Sequence, residues 1–524
     1  MSPPLTRPGR SRLVSAFAIA ALVCAGALLA LRPSTAGAAA CSPLPASLPA
    51  ANALPAISEL PDPFKYWDGT RMTSSADWSC RRDQLRELLQ YYEYGHLPPA
   101  PTSVTGTRNG NTLTVTVQAN GRSASFNATL SLPAGNGPHP AIIMLNPLAA
   151  STTSRGYAEV HINPNSIAAD STSKTGAFWT LYPSSDAGVL MAWAWGVHRT
   201  LDALRSVPQI DTAKVGVSGY SRYGKASVVA GAFDDRIALT VPGSAGTAGM
   251  GNYRFFSSTG SNNETLDDIL GAAYWFTPRF ATFRGQANRL PIDQHELGAL
   301  VAPRLLLTTN GTEGSDIRTN PIGTSYSYRG ARMVYEYLGV PDRIGIAYRP
   351  GGHQIDMADY NAIMDFADKY LRGLNVSRTF NNVPYAPSTA AIPWTIPSGG
   401  GPTTPPPSTP PPSTPPPSTP PPSTPPPSTP PPVGACTATY RTVNSWQGGY
   451  QGEVTVTAGS APINGWTVRW TTAPSFTQVW SGVLSGGAVR NAAWNGSLGA
   501  GGSTTFGFIG SGGPSSPVPT CTSP

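Results

Sequence analysis

The chain has 524 residues, of which 40% are hydrophobic and only 12% are charged, so it is long enough for at least two domains. Its formal net charge is +7, but the first forty residues contain four arginines and no acidic residue. The rest of the chain is nearly balanced and has no Lys/Arg-rich run, which argues against a nucleic-acid-binding protein.

The first forty residues predict a secretory signal peptide. A basic start through Arg12 precedes the apolar run 13–31, and small residues follow at 36–40. An uncleaved membrane anchor is the alternative, and no later stretch is long and apolar enough to span a bilayer. We expect a secreted, extracellular protein with no membrane contact after cleavage.

Four cysteines remain once Cys24 leaves with the signal peptide, and four cysteines allow three pairings. The linker described below separates them two and two, so the simplest prediction is one disulfide in each domain, Cys41–Cys80 and Cys436–Cys521. Metal binding is the alternative, but the sequence has no CxxC motif or Cys/His cluster. We therefore expect neither a metal nor a cofactor.

A linker divides the mature chain. Residues 398–433 turn from Gly-rich to repeated Ser-Thr-Pro-Pro-Pro units, which favour an extended, semi-rigid polyproline spacer. A large domain, 41–397, lies before it, and a module of about ninety residues, 434–524, lies after it.

The large domain alternates predicted strands and helices. This alternation predicts a mostly parallel sheet with helices on both faces, the three-layer α/β sandwich of the α/β hydrolases. In chain order the predicted elements are a hairpin at 112–117 and 124–130, a strand at 141–145, a helix at 190–207, a strand at 215–217, a helix through 229, strands at 237–241 and 304–308, a helix around 333–338, a strand at 344–348 and a helix at 359–371.

The strand at 215–217 leads into a tight turn that holds a candidate nucleophile. Ser221 lies two residues after Gly219, and Gly224 follows closely, as in a nucleophile elbow. Tyr223 occupies the second small position of the GxSxG pattern, so the match is loose, and a simple Gly-rich turn is the alternative.

A base and an acid are found in the order that this fold requires, nucleophile, acid, histidine. His353 follows the last predicted strand, whereas His295 is expected to be a surface residue. Asp316 and Glu313 both lie in the loop after strand 304–308, the usual position of the acid. Either could orient the His353 ring, which would accept the Ser221 proton.

Several stretches of the large domain resemble the glucuronoyl esterases, which cleave esters of 4-O-methyl-glucuronic acid. The resemblance implies Ser221 as nucleophile and His353 as base, Arg222 as a residue that stabilises the oxyanion, and Lys225 as a ligand of the uronate hydroxyls. The stretches that carry it are Tyr-Glu-Tyr-Gly-His-Leu-Pro-Pro at 92–99, Ala-Trp-Ala-Trp-Gly-Val at 192–197, 210–217, Ser-Arg-Tyr-Gly-Lys at 221–225, 235–242 and 301–304.

The sequence also departs from this family. Ser244 stands where fungal members carry the catalytic Glu, and Asp316 lines up with the later acid of many bacterial members, which favours Asp316 over Glu313. Arg318 replaces a sugar-contacting Trp, and Ala272 stands at the position of a sugar-contacting Glu. We take Lys225, Arg318 and Glu264 as candidate substrate-binding residues.

A second fungal feature, a cysteine directly before the nucleophile, is replaced by Tyr220. The disulfide beside the active site is therefore predicted to be missing.

The C-terminal module alternates apolar and polar residues in short runs separated by turn residues, which predicts a β-sandwich. It resembles the family-two carbohydrate-binding modules, with a cysteine near each end. The resemblance implies that Trp446, Trp480 and Trp494 form an exposed strip for cellulose, whereas Trp466 and Trp470 are expected in the core.

Together these features predict a secreted serine esterase that acts on glucuronoyl esters of xylan (the esters that join lignin to carbohydrate) by a Ser-His-acid mechanism, with a module that binds cellulose in the plant cell wall. An acetyl or feruloyl xylan esterase is the alternative among enzymes. The alternative outside catalysis is a cellulose-binding protein with little esterase activity.

Overall fold

The structure is a computed structural model that describes residues 42–256, 263–401, 435–446, 449–470, 474–480, 482–491, 495–511 and 518–523. The chain forms two compact units. Of the described residues, the first contains 42–364 and 380–401, and the second contains the rest. Within these ranges no helix has the length and apolar character that crossing a bilayer requires.

A nine-stranded sheet organises the first unit, in the order β1-β2-β3-β5-β4-β6-β7-β8-β9. Strands β1, β2, β3 and β5 pair antiparallel, and the run from β5 through β9 is parallel. The strands are β1 (Ser103–Asn109), β2 (Thr112–Ala119), β3 (Arg122–Ser131), β4 (His139–Met144), β5 (Ala158–Ile162), β6 (Ile210–Tyr220), β7 (Leu239–Gly243), β8 (Leu305–Gly311) and β9 (Ile344–Arg349).

The helices connect and cover these strands, so the predicted α/β alternation is confirmed. Helix α4 contacts β1, β2 and β6, α5 contacts β6 and β7, and α8 contacts β8 and β9. The helices are α1 (Trp78–Leu89), α2 (Pro164–Ile167), α3 (Ala177–Leu181), α4 (Val189–Leu204), α5 (Arg222–Phe233), α6 (Leu266–Ile269), α7 (Gln294–Ala299), α8 (Pro321–Tyr337) and α9 (Met357–Tyr370).

Strands β6, β7, β8 and β9 end side by side because they are parallel neighbours in the sheet. The chain leaves each carboxyl end in a loop, and open α/β sheets bind ligands outside these ends. This edge of the sheet is where the candidate catalytic residues are found.

The second unit contains residues 365–379 and the C-terminal module, whose described residues form ten strands, which confirms the predicted all-β module. They form two four-stranded sheets, β10-β11-β18-β14 and β15-β16-β13-β19, and the short pair β12-β17. The strands are β10 (Cys436–Trp446), β11 (Gly449–Ala458), β12 (Ile463–Asn464), β13 (Thr467–Trp470), β14 (Phe476–Trp480), β15 (Gly482–Ser485), β16 (Ala488–Asn491), β17 (Ser497–Leu498), β18 (Ser503–Ser511) and β19 (Pro519–Thr522).

A disulfide joins Cys436 to Cys521, as predicted, and so links β10 to β19 near the two ends of the module. Trp466 and Trp470 are buried in the core of the module, as expected, where both rings contact Phe506. Cys41, the signal peptide and most of the linker lie outside the described residues. The Cys41–Cys80 pairing and the exact domain boundaries therefore stay predictions.

Candidate active site

Ser221 occupies the sharp turn between β6 and α5. Its backbone has φ +57° and ψ −126°, a conformation that costs a non-glycine residue about 1–3 kcal/mol. The amide N–H of Ser221 donates to Gly243 O at 2.9 Å, which ties the turn to the end of β7. A Cβ on Gly219 would lie 2.1 Å from Tyr223 O, so the turn closes only around a glycine. This geometry is that of a nucleophile elbow, although Tyr223 departs from the usual motif.

A continuous hydrogen-bond chain runs from Ser221 to a carboxylate. The Oγ of Ser221 lies 2.9 Å from Nε2 of His353, and Nδ1 of His353 lies 2.7 Å from Oδ1 of Asp316. In the neutral imidazole the Nδ1–H donates to Asp316, which leaves Nε2 free to accept from Ser221. Three loops, after β6, β8 and β9, therefore bring together the three residues that chain order had suggested.

Asp316 is fully buried, and its carboxylate is held from several sides. Oδ2 accepts from the Ser244 hydroxyl at 2.7 Å and from the Gly311 amide, and Oδ1 also accepts from the Thr319 hydroxyl at 3.1 Å. Ser244, which the sequence resemblance places at the acid position of the fungal glucuronoyl esterases, thus donates a hydrogen bond to Asp316 in the loop after the neighbouring strand β8.

Glu313 points elsewhere. It is exposed, and its Oε2 accepts from the Gly351 amide at 3.1 Å, two residues before His353. The geometry therefore supports Asp316 over Glu313 as the partner of His353.

Arg222 begins helix α5, where the backbone N–H groups of the first turn lack intrahelical partners and can bind an anion. Its guanidinium donates to Oδ2 of Asp170 at 2.5 Å. The other oxygen of Asp170 accepts from the Trp275 indole at 2.7 Å and from the Tyr274 hydroxyl at 3.2 Å. Sequence reasoning did not find this anchor, because Asp170 lies in an irregular segment without a motif.

Lys225 lies one turn further along α5 and is buried. Its ammonium group donates to Ala245 O at 2.8 Å, Thr247 O at 2.6 Å and Oε2 of Glu264 at 2.9 Å. Burial lowers the pKa of Lys225, and the facing Glu264 carboxylate opposes that shift. A carboxylate is therefore present beside Lys225 even though Ala272 stands at the family's position for one.

Arg318 is joined to this pair through its backbone. Its carbonyl accepts from the Glu264 amide at 2.9 Å, and its side chain is exposed. Hydrogen bonds thus join the three candidate substrate-binding residues, Lys225, Glu264 and Arg318, and Lys225 lies one helical turn after Ser221.

The expectation that His295 lies on the surface is wrong. His295 is fully buried, its Nε2 lies 2.7 Å from Pro61 O, and burial lowers its pKa to about 4. Its sequence, Asp-Gln-His-Glu at 293–296, is polar, but it begins the short helix α7 inside the domain and is covered there.

The side chains of the three tryptophans in the predicted cellulose strip lie outside the described parts of the structure. Trp446 ends β10 and Trp480 ends β14, two strands of the same sheet, but their side chains are not among the described parts. Trp494 lies outside the described residues. The strip therefore stays a prediction.

Comparison with known proteins gives matches to both units. Residues 115–339 match the family model "Glucuronyl esterase, fungi", and residues 436–523 match the model "Cellulose binding domain". A 4-O-methyl-glucuronoyl methylesterase of Podospora anserina is 37% identical over 372 residues, which cover 66% of this chain and 75% of that protein. The chain belongs to the glucuronoyl esterase family.

Solved structures of glucuronoyl esterases resemble the large domain. One from Caldicellulosiruptor kristjansonii is 41% identical, with a TM-score of 0.63 over 66% of this chain and 99% of that chain. The catalytic domain from Hypocrea jecorina is 34% identical, with a TM-score of 0.62 over 68% of this chain and 100% of that chain. The α/β-hydrolase fold is therefore confirmed.

Membership of the glucuronoyl esterase family makes this chain a serine carboxylic ester hydrolase, a carbohydrate esterase that also carries a cellulose-binding domain. A glucuronoyl esterase from Sporotrichum thermophile, 29% identical with a TM-score of 0.61 over 67% of this chain and 99% of that chain, was solved as a serine-to-alanine mutant in complex with methyl 4-O-methyl-β-D-glucopyranuronate. Among the described residues no group of three or more His, Cys, Asp or Glu side chains could hold a metal ion.

Proposed function

We propose that this protein is a secreted esterase that hydrolyses 4-O-methyl-glucuronoyl esters on xylan, including those that join xylan to lignin, and that its module directs it to cellulose in the plant cell wall. Ser221, His353 and Asp316 form the catalytic triad. Lys225 and Glu264 bind the sugar ring of the acyl group, and Arg222 stabilises the oxyanion.

In the first half of the reaction, Ser221 Oγ attacks the ester carbonyl while Nε2 of His353 takes its proton. The ring then carries a positive charge, which the buried Asp316 carboxylate stabilises through Nδ1–H. Negative charge develops on the carbonyl oxygen in front of the α5 N-terminus. The backbone N–H of Arg222 and its guanidinium are the donors available there.

The proton on His353 then passes to the leaving alcohol oxygen, which departs and leaves the uronoyl group on Ser221 as an ester. Water enters, gives a proton to Nε2 and attacks the same carbonyl. Collapse of the second tetrahedral intermediate breaks the bond to Oγ, which recovers its proton from His353, and the free uronic acid leaves.

The observation that carries the choice of acyl group is the Lys225–Glu264 pair next to Ser221. The Glu264 carboxylate oxygens, fixed by the Lys225 ammonium at 2.9 Å and by the Thr247 amide at 3.1 Å, are charged acceptors that suit a sugar with neighbouring hydroxyls. An acetyl group has no hydroxyl to use them, and a feruloyl group would place a flat aromatic ring there. The Sporotrichum thermophile complex with a methyl glucuronate supports the same choice.

A direct comparison of substrates tests this function. We expect hydrolysis of benzyl glucuronate and little release of acetate from acetylated xylan. The variant Glu264→Gln is expected to raise the KM for benzyl glucuronate about 10- to 100-fold, because a hydrogen bond to a charged group contributes roughly 1.5–3 kcal/mol. Its rate with p-nitrophenyl acetate, which has no sugar, should change little.

Asp268→Asn is the matched control for that variant. Asp268 lies four residues after Glu264, and its carboxylate accepts from Thr265 at the start of α6. It should leave the KM unchanged. Faster release of acetate than of glucuronate by the unaltered protein would assign an acetyl esterase, and no turnover of either would favour a binding protein.

The module is expected to bind cellulose through stacked aromatic faces. The variant Trp446→Ala/Trp494→Ala should lose binding to crystalline cellulose, while binding by the unaltered module should depend little on salt because the contact is uncharged. Trp470→Phe serves as the control, since Trp470 is buried in the core of the module. Retention of the double variant on cellulose, with a native circular dichroism spectrum, would exclude the proposed strip.

Cleavage of the linker near Ser398 completes this test. We expect kcat on a small soluble ester to stay the same and action on intact plant wall to fall. In the uncleaved protein the module raises the effective concentration of the esterase near its substrate without contacting the active site, and cleavage removes this effect.

A further inference from the structure

The buried side chain of Arg349 binds the backbone of the loop that carries His353. Arg349 ends β9, four residues before His353, and its side chain is only 4% exposed. Its guanidinium donates to Gly352 O from both terminal nitrogens, at 3.3 and 3.2 Å, and also to Gln354 O. Gly352 and Gln354 are the two neighbours of His353 in the chain, so Arg349 binds the backbone on both sides of the histidine.

Arg349 is itself fixed by a buried carboxylate. Its Nε donates to Oδ2 of Asp359 at 2.6 Å, and Asp359, in the first turn of α9, is 2% exposed. The same Oδ2 accepts from the Asp356 amide at 3.2 Å, which closes the end of the loop. The guanidinium cannot move away from the loop without leaving Asp359 unpaired in the interior, which is costly.

The same guanidinium also reaches the nucleophile side of the site. One terminal nitrogen lies 3.4 Å from the hydroxyl of Tyr220, the residue directly before Ser221. The Tyr220 ring packs against the His353 ring with their centres 5.1 Å apart. Tyr220 is in turn anchored by its amide, which donates to Oδ1 of Asn146 at 2.8 Å.

From these contacts we infer that Arg349 and Tyr220 form a brace that sets the distance between His353 and Ser221. Arg349 is a positioning residue: its described hydrogen bonds go neither to the Ser221 hydroxyl nor to the His353 imidazole, and it acts by fixing the loop backbone on each side of the histidine. Tyr220 transmits the position of β6, and so of Ser221, to the same guanidinium. This inference rests on the proposed roles of Ser221 and His353.

A purely structural arginine would act differently. Arg254 offers the comparison, because it is also buried, pairs with Asp293 at 2.7 Å and donates to backbone carbonyls, but those carbonyls belong to Leu290, Ile292 and Ile57. Loss of either arginine leaves a buried carboxylate unpaired and should lower the melting temperature. Loss of Arg349 alone should also slow the chemistry.

The test compares Arg349→Met, Arg349→Lys and Arg254→Met in the full-length protein. Arg349→Met is expected to lower kcat about 10- to 100-fold with KM within about twofold, the scale on which small displacements of a catalytic group act. It should slow labelling of Ser221 by a fluorophosphonate to the same degree. Arg349→Lys keeps the charge but not the planar set of donors, so its kcat should lie between those of Arg349→Met and the unaltered protein. Arg254→Met should melt earlier and react normally below its melting temperature.

Tyr220→Phe completes a double-mutant cycle. We expect it to slow labelling by about two- to fivefold alone and to have no further effect beside Arg349→Met, because both changes break one brace. Should Arg349→Met fail to fold, Arg349→Lys and Tyr220→Phe give the same decision.

Fluorophosphonate labelling does not depend on the acyl group. A native protein that resists labelling would therefore contradict the proposed triad. Rapid labelling of the native protein and of the Arg349 and Tyr220 variants alike would overturn the brace alone.

Discussion

Replacement of Ser221 by alanine is expected to lower kcat for ester hydrolysis by about 10⁶-fold, the loss that follows removal of the nucleophile from another serine hydrolase. Ser221 has the turned backbone of an elbow, and its hydroxyl lies 2.9 Å from the His353 ring. Without that oxygen there is no acyl-enzyme, and only water activated by His353 remains. Initial rates with benzyl glucuronate measure the loss.

The controls separate chemistry from folding. Ser206 lies just after the end of α4, and its hydroxyl donates to Ala203 O within that helix. Ser206→Ala removes this hydroxyl and should keep full activity. Ser221→Ala should also bind cellulose as the unaltered protein does, because the module is a separate unit. Turnover by Ser221→Ala within tenfold of normal would place the nucleophile elsewhere.

Asp316→Asn is expected to lower kcat by about 10⁴-fold, whereas Glu313→Gln should stay within a few-fold of normal. An asparagine keeps the shape of the side chain but cannot stabilise the charged imidazole, and its amide group favours the wrong tautomer of His353. Glu313 is exposed and reaches the loop only through the Gly351 amide. Single-turnover rates with an aryl ester measure both effects.

A third variant, Ser244→Ala, grades the support that Asp316 receives. It removes the hydroxyl that donates to Oδ2 at 2.7 Å and should cost less than Asp316→Asn, since the Gly311 amide and the Thr319 hydroxyl remain. The opposite ranking of Asp316 and Glu313 would transfer the role of acid to Glu313. Equal, small effects would indicate that Ser221 and His353 act as a pair.

Chain order was enough to find the elements of the site, because the fold places residues from the ends of β6, β8 and β9 at one edge. The choice of carboxylate was harder. Asp316 and Glu313 are three residues apart in one loop, and only the 3₁₀ turn at Gly314–Thr319 buries the first and exposes the second. The partner of Lys225 was obscured in the same way, since Glu264 lies 39 residues away in an irregular segment with no periodic pattern.

The regular elements were mostly predictable, and the misses have physical reasons. Strand β5 has the sequence Ala-Glu-Val-His-Ile and pairs with β3 on one side and β4 on the other. It was not predicted, because its two polar residues interrupt the apolar run expected of a central strand. Strand β1 is a mostly exposed edge strand without apolar alternation. Helix α8 begins at Pro321, twelve residues before the predicted apolar stretch, because its first turns bury small and polar side chains.

The contact between Ser244 and Asp316 bears on how such enzymes diverge. The loops that follow the neighbouring strands β7 and β8 place Ser244 and Asp316 at the same point beside His353, where the hydroxyl and the carboxylate lie 2.7 Å apart. A lineage could therefore acquire an acid after either strand, hold both for a time, and lose the older one while serine and histidine stay in place. The charge that orients the histidine belongs to a location in space rather than to a position in the chain, so aligned columns alone will misassign it in relatives that have made the exchange.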